Sequence, residues 1–290
     1  MELLQTGIVL GLATGLIFAT ASVGLVVIFR TSGYLSFAQG DIAAVSLYVG
    51  LAGYHAGLPY PAVALIVVAS GAVLAGLIGA FVVGPLERRG ETVGALATVG
   101  VGLTIQGIEN VVVGTQARPF PSLGTERLFT LGAVDVSPAE LGSLIVAVVL
   151  FTALGVWFQR SRSGMAMRAA NDNPMAARHV GIPAIRLKIL SWVLAGALAG
   201  VAGLFVAPTY TLTPSSVNTI LVFGFCTVVV GGFESILGAL IAGVGIGIAS
   251  NLVAIYLHPQ LVSSSIYGLL LLVLLFRPYG LLGRRPLVRV

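Results

Sequence analysis

SILGALIAGVGIGIASNLVAIYL, residues 235–257, runs for 23 residues without one Asp, Glu, Lys or Arg. Coiled as an α-helix at 1.5 Å per residue it reaches about 34 Å, enough to cross a hydrocarbon layer of about 30 Å. Strand-type alternation with a polar inner face is absent, which argues against a β-barrel. The same texture continues outward in both directions. Between Lys188 and Arg277 the one charged residue is Glu234, and between Arg30 and Glu87 it is Asp41. Over the 290 residues, 57% are hydrophobic and 9% charged, where soluble domains carry about 25% charged residues. Mean hydropathy is +1.05. Disorder is excluded by the apolar content, and a collagen repeat by the irregular spacing of the 38 glycines. The single cysteine, Cys226, allows no internal disulfide and no Cys-based metal cluster. These features predict an all-α, polytopic integral membrane protein in one domain, 1–290.

Apolar segments of spanning character fall at 7–29, 36–54, 60–84, 92–114, 138–158, 188–208, 216–232, 235–257 and 261–276. The second, seventh and ninth are short, and only Gly231-Gly232 parts the seventh from the eighth, so eight or nine spans are expected. With nine, thirteen of the fifteen Lys and Arg residues share one side, leaving Arg118 and Arg127 on the other. Basic residues concentrate in cytoplasmic loops, which places the C-terminus inside and the N-terminus outside. No basic residue precedes the first segment and Arg30 follows it, the pattern of a retained helix and not of a cleaved leader. Topology therefore explains the pI of about 9.7, and no nucleic-acid partner is implied.

Several chemistries are excluded. The one lysine, Lys188, stands between Leu187 and Ile189, so no P-loop of the G-x-x-x-x-G-K-[ST] type exists. His55, His179 and His258 are isolated and form no metal-binding spacing. The largest aqueous segment, 159–187, is too small for an enzymatic domain of ordinary size.

Three local features depart from the apolar background. Gln106, Glu109 and Asn110 lie within five residues in the fourth span. A charge at mid-membrane costs roughly 2.5–3.5 kcal/mol on insertion scales, so such residues usually face a cavity or a partner. Glu109 either lines an aqueous path or snorkels at the outer interface. Ser32-Gly33-Tyr34-Leu35-Ser36-Phe37-Ala38-Gln39-Gly40-Asp41 breaks what would otherwise be one long apolar run. It reads as a broken helix lining a site or as a cytoplasmic turn with Ser36 capping the next helix. Finally, Asn173-Pro174 reads as an N-cap and first helical residue, Met175 to Val180 as two short turns, and Gly181 as a left-handed stop. G-x-x-x-G recurs at Gly11–Gly15, Gly196–Gly200 and Gly243–Gly247, as in closely packed helices.

Taken together, these stretches resemble the LivH-type membrane subunit of branched-chain amino-acid ABC importers. Ser36-Phe37-Ala38-Gln39-Gly40 resembles that family's Asn-Phe-Ala-His-Gly, and residues 168–182 resemble its cytoplasmic loop. Residues 231–239 resemble its late Gly-Gly-x-Gly-Ser-x-x-Gly-Ala stretch, with Glu234 where Gly is usual. The E-A-A-x-x-x-G coupling signature keeps its spacing at Met175-Ala176-Ala177-x-x-x-Gly181, with Met in place of the acid. The resemblance implies a permease for branched-chain or related amino acids. Its ATPase-coupling helix would be Pro174, Met175, Ala176, Ala177, Arg178 and Gly181. Its candidate translocation path would be Ser36, Phe37, Gln39, Gln106, Glu109 and Asn110. The implied partners are ABC ATPase subunits holding ATP and Mg²⁺, a second permease subunit, an extracytoplasmic binding protein and the lipid bilayer. This chain would need no cofactor of its own. Related permeases carry urea or short amides, and an ion-coupled secondary transporter is the rival from another class.

Overall fold

The computed structural model describes residues 2–87, 89–121, 129–131, 134–136, 138–172, 174–207, 212–213 and 216–283. Helix α1 (Glu2–Ser32) is followed by α2 (Gln39–His55), α3 (Tyr60–Leu77) and α4 (Gly84–Glu87). Then come α5 (Glu91–Val112), α6 (Pro138–Arg160), α7 (Arg162–Asp172) and α8 (Pro174–His179). The chain closes with α9 (Ala184–Val206), α10 (Ser216–Gly231), α11 (Ile236–Tyr256) and α12 (Val262–Phe276). A small antiparallel ribbon, β1 (Phe129–Leu131) and β2 (Val134–Val136), sits in the connection between α5 and α6.

Every predicted apolar segment is helical, but the helices differ in reach. Among the described residues six are long and apolar enough to cross a membrane, and the bent pair α6–α7, hinged by 73°, makes a seventh. The helices at the second and seventh predicted segments, α2 and α10, have 17 and 16 residues. The physical reason is at their ends. α2 starts late because residues 33–38 stay non-helical, and α10 is stopped by Gly232 at φ +106. Between α3 and α4 the helix widens into a π-helical stretch, Ile78–Val83, with Gly84 N–H donating to Gly79 O. Pro85 follows at once; it has no N–H to give, and its ring crowds an ordinary turn, so the wider turn relieves the clash.

The core is built on close backbone contact. α1 runs between α9, α10 and α11, and α3 lies between α2 and α9. A Cβ on Gly11 would stand 2.6 Å from Ile248 Cα, and one on Gly15 would stand 2.7 Å from Gly243 O. The motifs Gly11–Gly15 and Gly243–Gly247 therefore pack on each other, with α1 and α11 antiparallel. Gly196–Gly200 meets α3 in the same way, with a Cβ on Gly200 placed 3.0 Å from Val67 O. Small residues let helices approach without hydrophobic drive, by packing alone. Within α1, Thr14 and Thr20 donate to the carbonyls four residues back at 2.9 and 2.7 Å, and Ser22 donates to Ala19 O at 2.7 Å. Their hydroxyls are thus satisfied inside their own helix.

Consecutive long helices alternate in direction. One end of the bundle carries the turn 33–38, residues 161–172 and 174–183, and residues 277–283, where Leu281 N–H donates to Val230 O at 2.8 Å. Arg30, Arg89, Arg160, Arg162, Arg168, Arg186, Lys188 and Arg277 belong to this end. The opposite end carries Arg118, whose backbone pairs with Leu212.

Candidate functional site

The connector between α6 and α9 is two helices. Ser161 accepts from Gly164 N–H at 2.9 Å and starts α7. That helix escapes the sequence reading, although its Met167 is buried against the bundle. α8 begins at Pro174, as its fixed φ favours. It ends as expected: Gly181 has φ +77, Val180 N–H donates to Ala176 O at 3.2 Å and Ile182 N–H to Ala177 O at 3.0 Å. Asn173, named above as the N-cap, and the side chains of Pro174, Met175 and Arg178 lie outside the described parts of the structure.

Both alanines of α8 offer small faces, yet only Ala176 is exposed. Ala177 is 6% exposed and faces a cavity of about 490 Å³ lined also by Arg30, Glu87, Lys188 and Glu234. Neighbours on a helix point about 100° apart, so the two alanines present different faces of α8.

The second region is a seam between α2 and α5. Gly94, Thr98, Gly102 and Glu109 are the buried residues of α5, spaced as one helical face. Phe37 N–H donates to Thr98 Oγ1 at 3.1 Å. A Cβ on Gly102 would lie 2.6 Å from Asp41 Oδ2, so glycine there lets the carboxylate in. Gln39 Nε2 donates to Ala195 O of α9. Ser36 is buried, but α2 is entered from Ala38 without a side-chain cap, which removes the capping role expected of Ser36. The break is a turn packed inside protein and so combines both readings of residues 32–41. Phe37 keeps 44% of its surface exposed, with its ring 6.1 Å from that of Phe225.

Glu109 does not snorkel. It is 3% exposed, and neither carboxylate oxygen has a hydrogen-bond partner among the described residues. Tyr48 of α2 faces the same stretch, its hydroxyl also buried without a partner among those residues. Gln106 is half-buried and Asn110 exposed. The six path residues named from sequence thus do not converge on one point. Ser36, Phe37 and Gln39 lie at one end of the seam and Gln106, Glu109 and Asn110 near the other, about 16 Å along α5 from Thr98 to Glu109. Asp41, Tyr48 and Thr98 fill the interval, and of these only Asp41 stood out in the sequence as an isolated acid.

Where the connector meets the bundle, Lys188 Nζ lies 2.6 Å from Glu87 Oε1. The Tyr34 hydroxyl donates to Glu87 Oε2 at 2.7 Å. Burial, reinforced by the Glu87 carboxylate, holds the Tyr34 phenol far above its ordinary range, so it stays a proton donor. Arg30 donates through Nε to Glu234 O at 2.7 Å and faces the Phe158 ring at 6.0 Å. Glu234 contributes its backbone carbonyl there.

A family model described as "branched-chain amino acid transport system / permease component" matches residues 7–275. The chain is 31% identical to "Probable branched-chain amino acid transport permease protein LivH" of Methanocaldococcus jannaschii, over 90% of this chain and 87% of that protein. It is 26% identical to "High-affinity branched-chain amino acid transport system permease protein LivH" of Escherichia coli K12, over 97% of this chain and 96% of that one. Among solved structures its fold is similar to that of "PsaBC from Streptococcus pneumoniae in complex with Fab". The TM-score there is 0.53 at 11% identity, over 94% of this chain and 91% of that chain.

Proposed function

Because the chain belongs to the family of branched-chain amino acid transport permease components, we propose that it is the membrane subunit of an ABC importer for branched-chain or closely related amino acids. Substrate arrives from an extracytoplasmic binding protein, crosses between this chain and a second permease subunit, and is released inside. ATP and Mg²⁺ are held by separate ATPase subunits, and this chain supplies neither an ATP site nor a catalytic residue. Its lone Lys188 lies outside any phosphate-binding loop and is bound to Glu87. The residues 1–290 act as one transmembrane domain in the cytoplasmic membrane. Family membership leaves the ion-coupled transporter without ground.

Besides the family, one observation supports this reading: the short, Gly-stopped helix α8 at the basic end of the bundle. Its length suits a rigid element that passes movement and performs no chemistry. The Ala176–Gly181 stretch meets the ATPase, and the α2–α5 seam borders the path. The test is purification of the tagged chain from its own cell followed by reconstitution in liposomes. An ATPase subunit should co-purify, and leucine uptake should require ATP and the binding protein. Uptake driven by an ion gradient without ATP, or purification with no ATPase, sinks the proposal.

Orientation follows the basic residues, with nine spans, the N-terminus outside and the C-terminus in the cytoplasm. Tags at the two ends of the chain test this in intact cells. The N-terminal tag should react with an impermeant reagent and the C-terminal tag only after lysis. An N-terminal tag protected in intact cells means an even number of spans.

A further inference from the structure

We propose that Lys188, Glu87 and Tyr34 form the link by which movement of the cytoplasmic connector reaches the turn that carries Phe37. The three are positioning residues of the transport cycle. The inference rests on the permease reading above and assigns a role within it.

The link joins three elements distant in sequence. Lys188 stands in the second turn of α9, a helix that starts at Ala184, five residues after α8 ends at His179. With Gly181 in the left-handed region and Pro183 fixing its own φ, the short joint ties displacement of α8 closely to the start of α9. Lys188 then grips Glu87, at the end of α4, by one carboxylate oxygen at 2.6 Å. The other oxygen of Glu87 takes the Tyr34 hydroxyl at 2.7 Å. One carboxylate thus binds the connector side with one atom and the α1–α2 turn with the other.

The turn is fitted to pass such a pull onward. Tyr34 is 5% exposed, and its ring fills the space beside Gly94 of α5, where a Cβ would stand 2.7 Å from Tyr34 Cε1. Gly33, at φ +80, lies against the Glu91 carboxylate, 2.8 Å from where its Cβ would be. Three residues beyond Tyr34, the Phe37 N–H is held by Thr98 at 3.1 Å, and its ring faces outward beside Phe225. Displacing Tyr34 therefore displaces Phe37. Meanwhile the cavity of about 490 Å³ between Ala177 and Arg30 leaves α8 room to shift against the bundle. Across that gap, packed side chains transmit poorly, whereas a charged hydrogen bond with two anchored ends transmits well.

The experiment uses the whole importer in liposomes with leucine, and measures ATPase assembly, melting temperature and leucine moved per ATP hydrolysed. Tyr34→Phe deletes one hydroxyl and keeps the ring; Lys188→Met deletes the cation and keeps the stem; Lys188→Arg keeps the cation. Assembly should stay normal in all three. Leucine per ATP should fall about fivefold or more with Tyr34→Phe and with Lys188→Met. The double variant should fall no further than the worse single, because both act in one link, and Lys188→Arg should restore most of the coupling. Unchanged leucine per ATP overturns the proposal, and so does a lower melting temperature with normal coupling, the mark of a structural staple. Losses that multiply in the double variant overturn it as well. If Lys188→Met fails to assemble, Tyr34→Phe decides alone. A wild-type chain that assembles with no ATPase fails at the first readout, and the permease reading falls with it.

Discussion

Gly181→Val should yield a permease that inserts and accumulates normally but loses substrate-stimulated ATP hydrolysis and uptake. Gly181 has φ +77 with no heavy atom within 4 Å of a built Cβ, so the cost of a side chain is conformational and not steric. A β-branched residue held in that region stores about 1–3 kcal/mol. Released by reorienting the end of α8, that strain misaligns the surface offered to the ATPase. At about 1.4 kcal/mol per tenfold, uptake should fall about fivefold or more. Gly181→Asn is the control, since Asn tolerates left-handed backbone and the site has space; it should transport near the wild-type rate. Ala177→Phe should act like Val at 181 by another route, driving a ring into the space between α8, Arg30 and Lys188. If Gly181→Val and Ala177→Phe both transport at the wild-type rate in liposomes, α8 is only a connector.

Glu109 should separate stability from transport. A buried acceptor without a partner costs about 1–3 kcal/mol, and both Glu109 oxygens are in that position among the described residues. Glu109→Leu removes the cost, so its melting temperature should equal or exceed the wild type's. Its transport should nonetheless fall, because a carboxyl group retained at such expense serves the moving substrate or the opened seam. Leaving the group that Glu109 meets in the cycle without its partner costs about 1–3 kcal/mol, about five- to hundredfold in rate. Glu109→Gln keeps shape and hydrogen bonding and should remain within about fivefold of wild type. Equal uptake by wild type and Glu109→Leu would remove Glu109 from the path.

Helix positions were legible in the sequence because apolar runs are bounded by Gly, Pro or charge, as at Gly231-Gly232 and Gly57 to Pro59. Their reach was not. α2 loses its first turn because Tyr34, Leu35 and Ser36 find burial in a non-helical turn, an outcome set by α5 and α9 and invisible in local pattern. The three G-x-x-x-G motifs announce close packing but name no partner, and Gly15 finds Gly243 only in the folded bundle. Glu109 shows the same limit. Its residue type marked it out, while its depth depends on which face of α5 meets α2. The Lys188–Glu87 pair, 101 residues apart, left no local trace. Gly181, by contrast, was readable outright, because a left-handed stop is a property of four or five neighbouring residues.

The glycine seam between α1 and α11 has a bearing on biosynthesis. α1 leaves the ribosome before α11, and about 230 residues separate Gly15 from Gly243, roughly 10–50 s of synthesis at 5–20 residues per second. Through that interval the central helix of the finished bundle waits in lipid with its mating surface bare. A helix that depended on later partners to satisfy its polar groups would be a poor lodger there. In α1 the hydroxyls of Thr14, Thr20 and Ser22 are already engaged by their own helix, and the waiting face is glycine, with no side chain to be misplaced. α1 can thus be stored intact until α11 arrives.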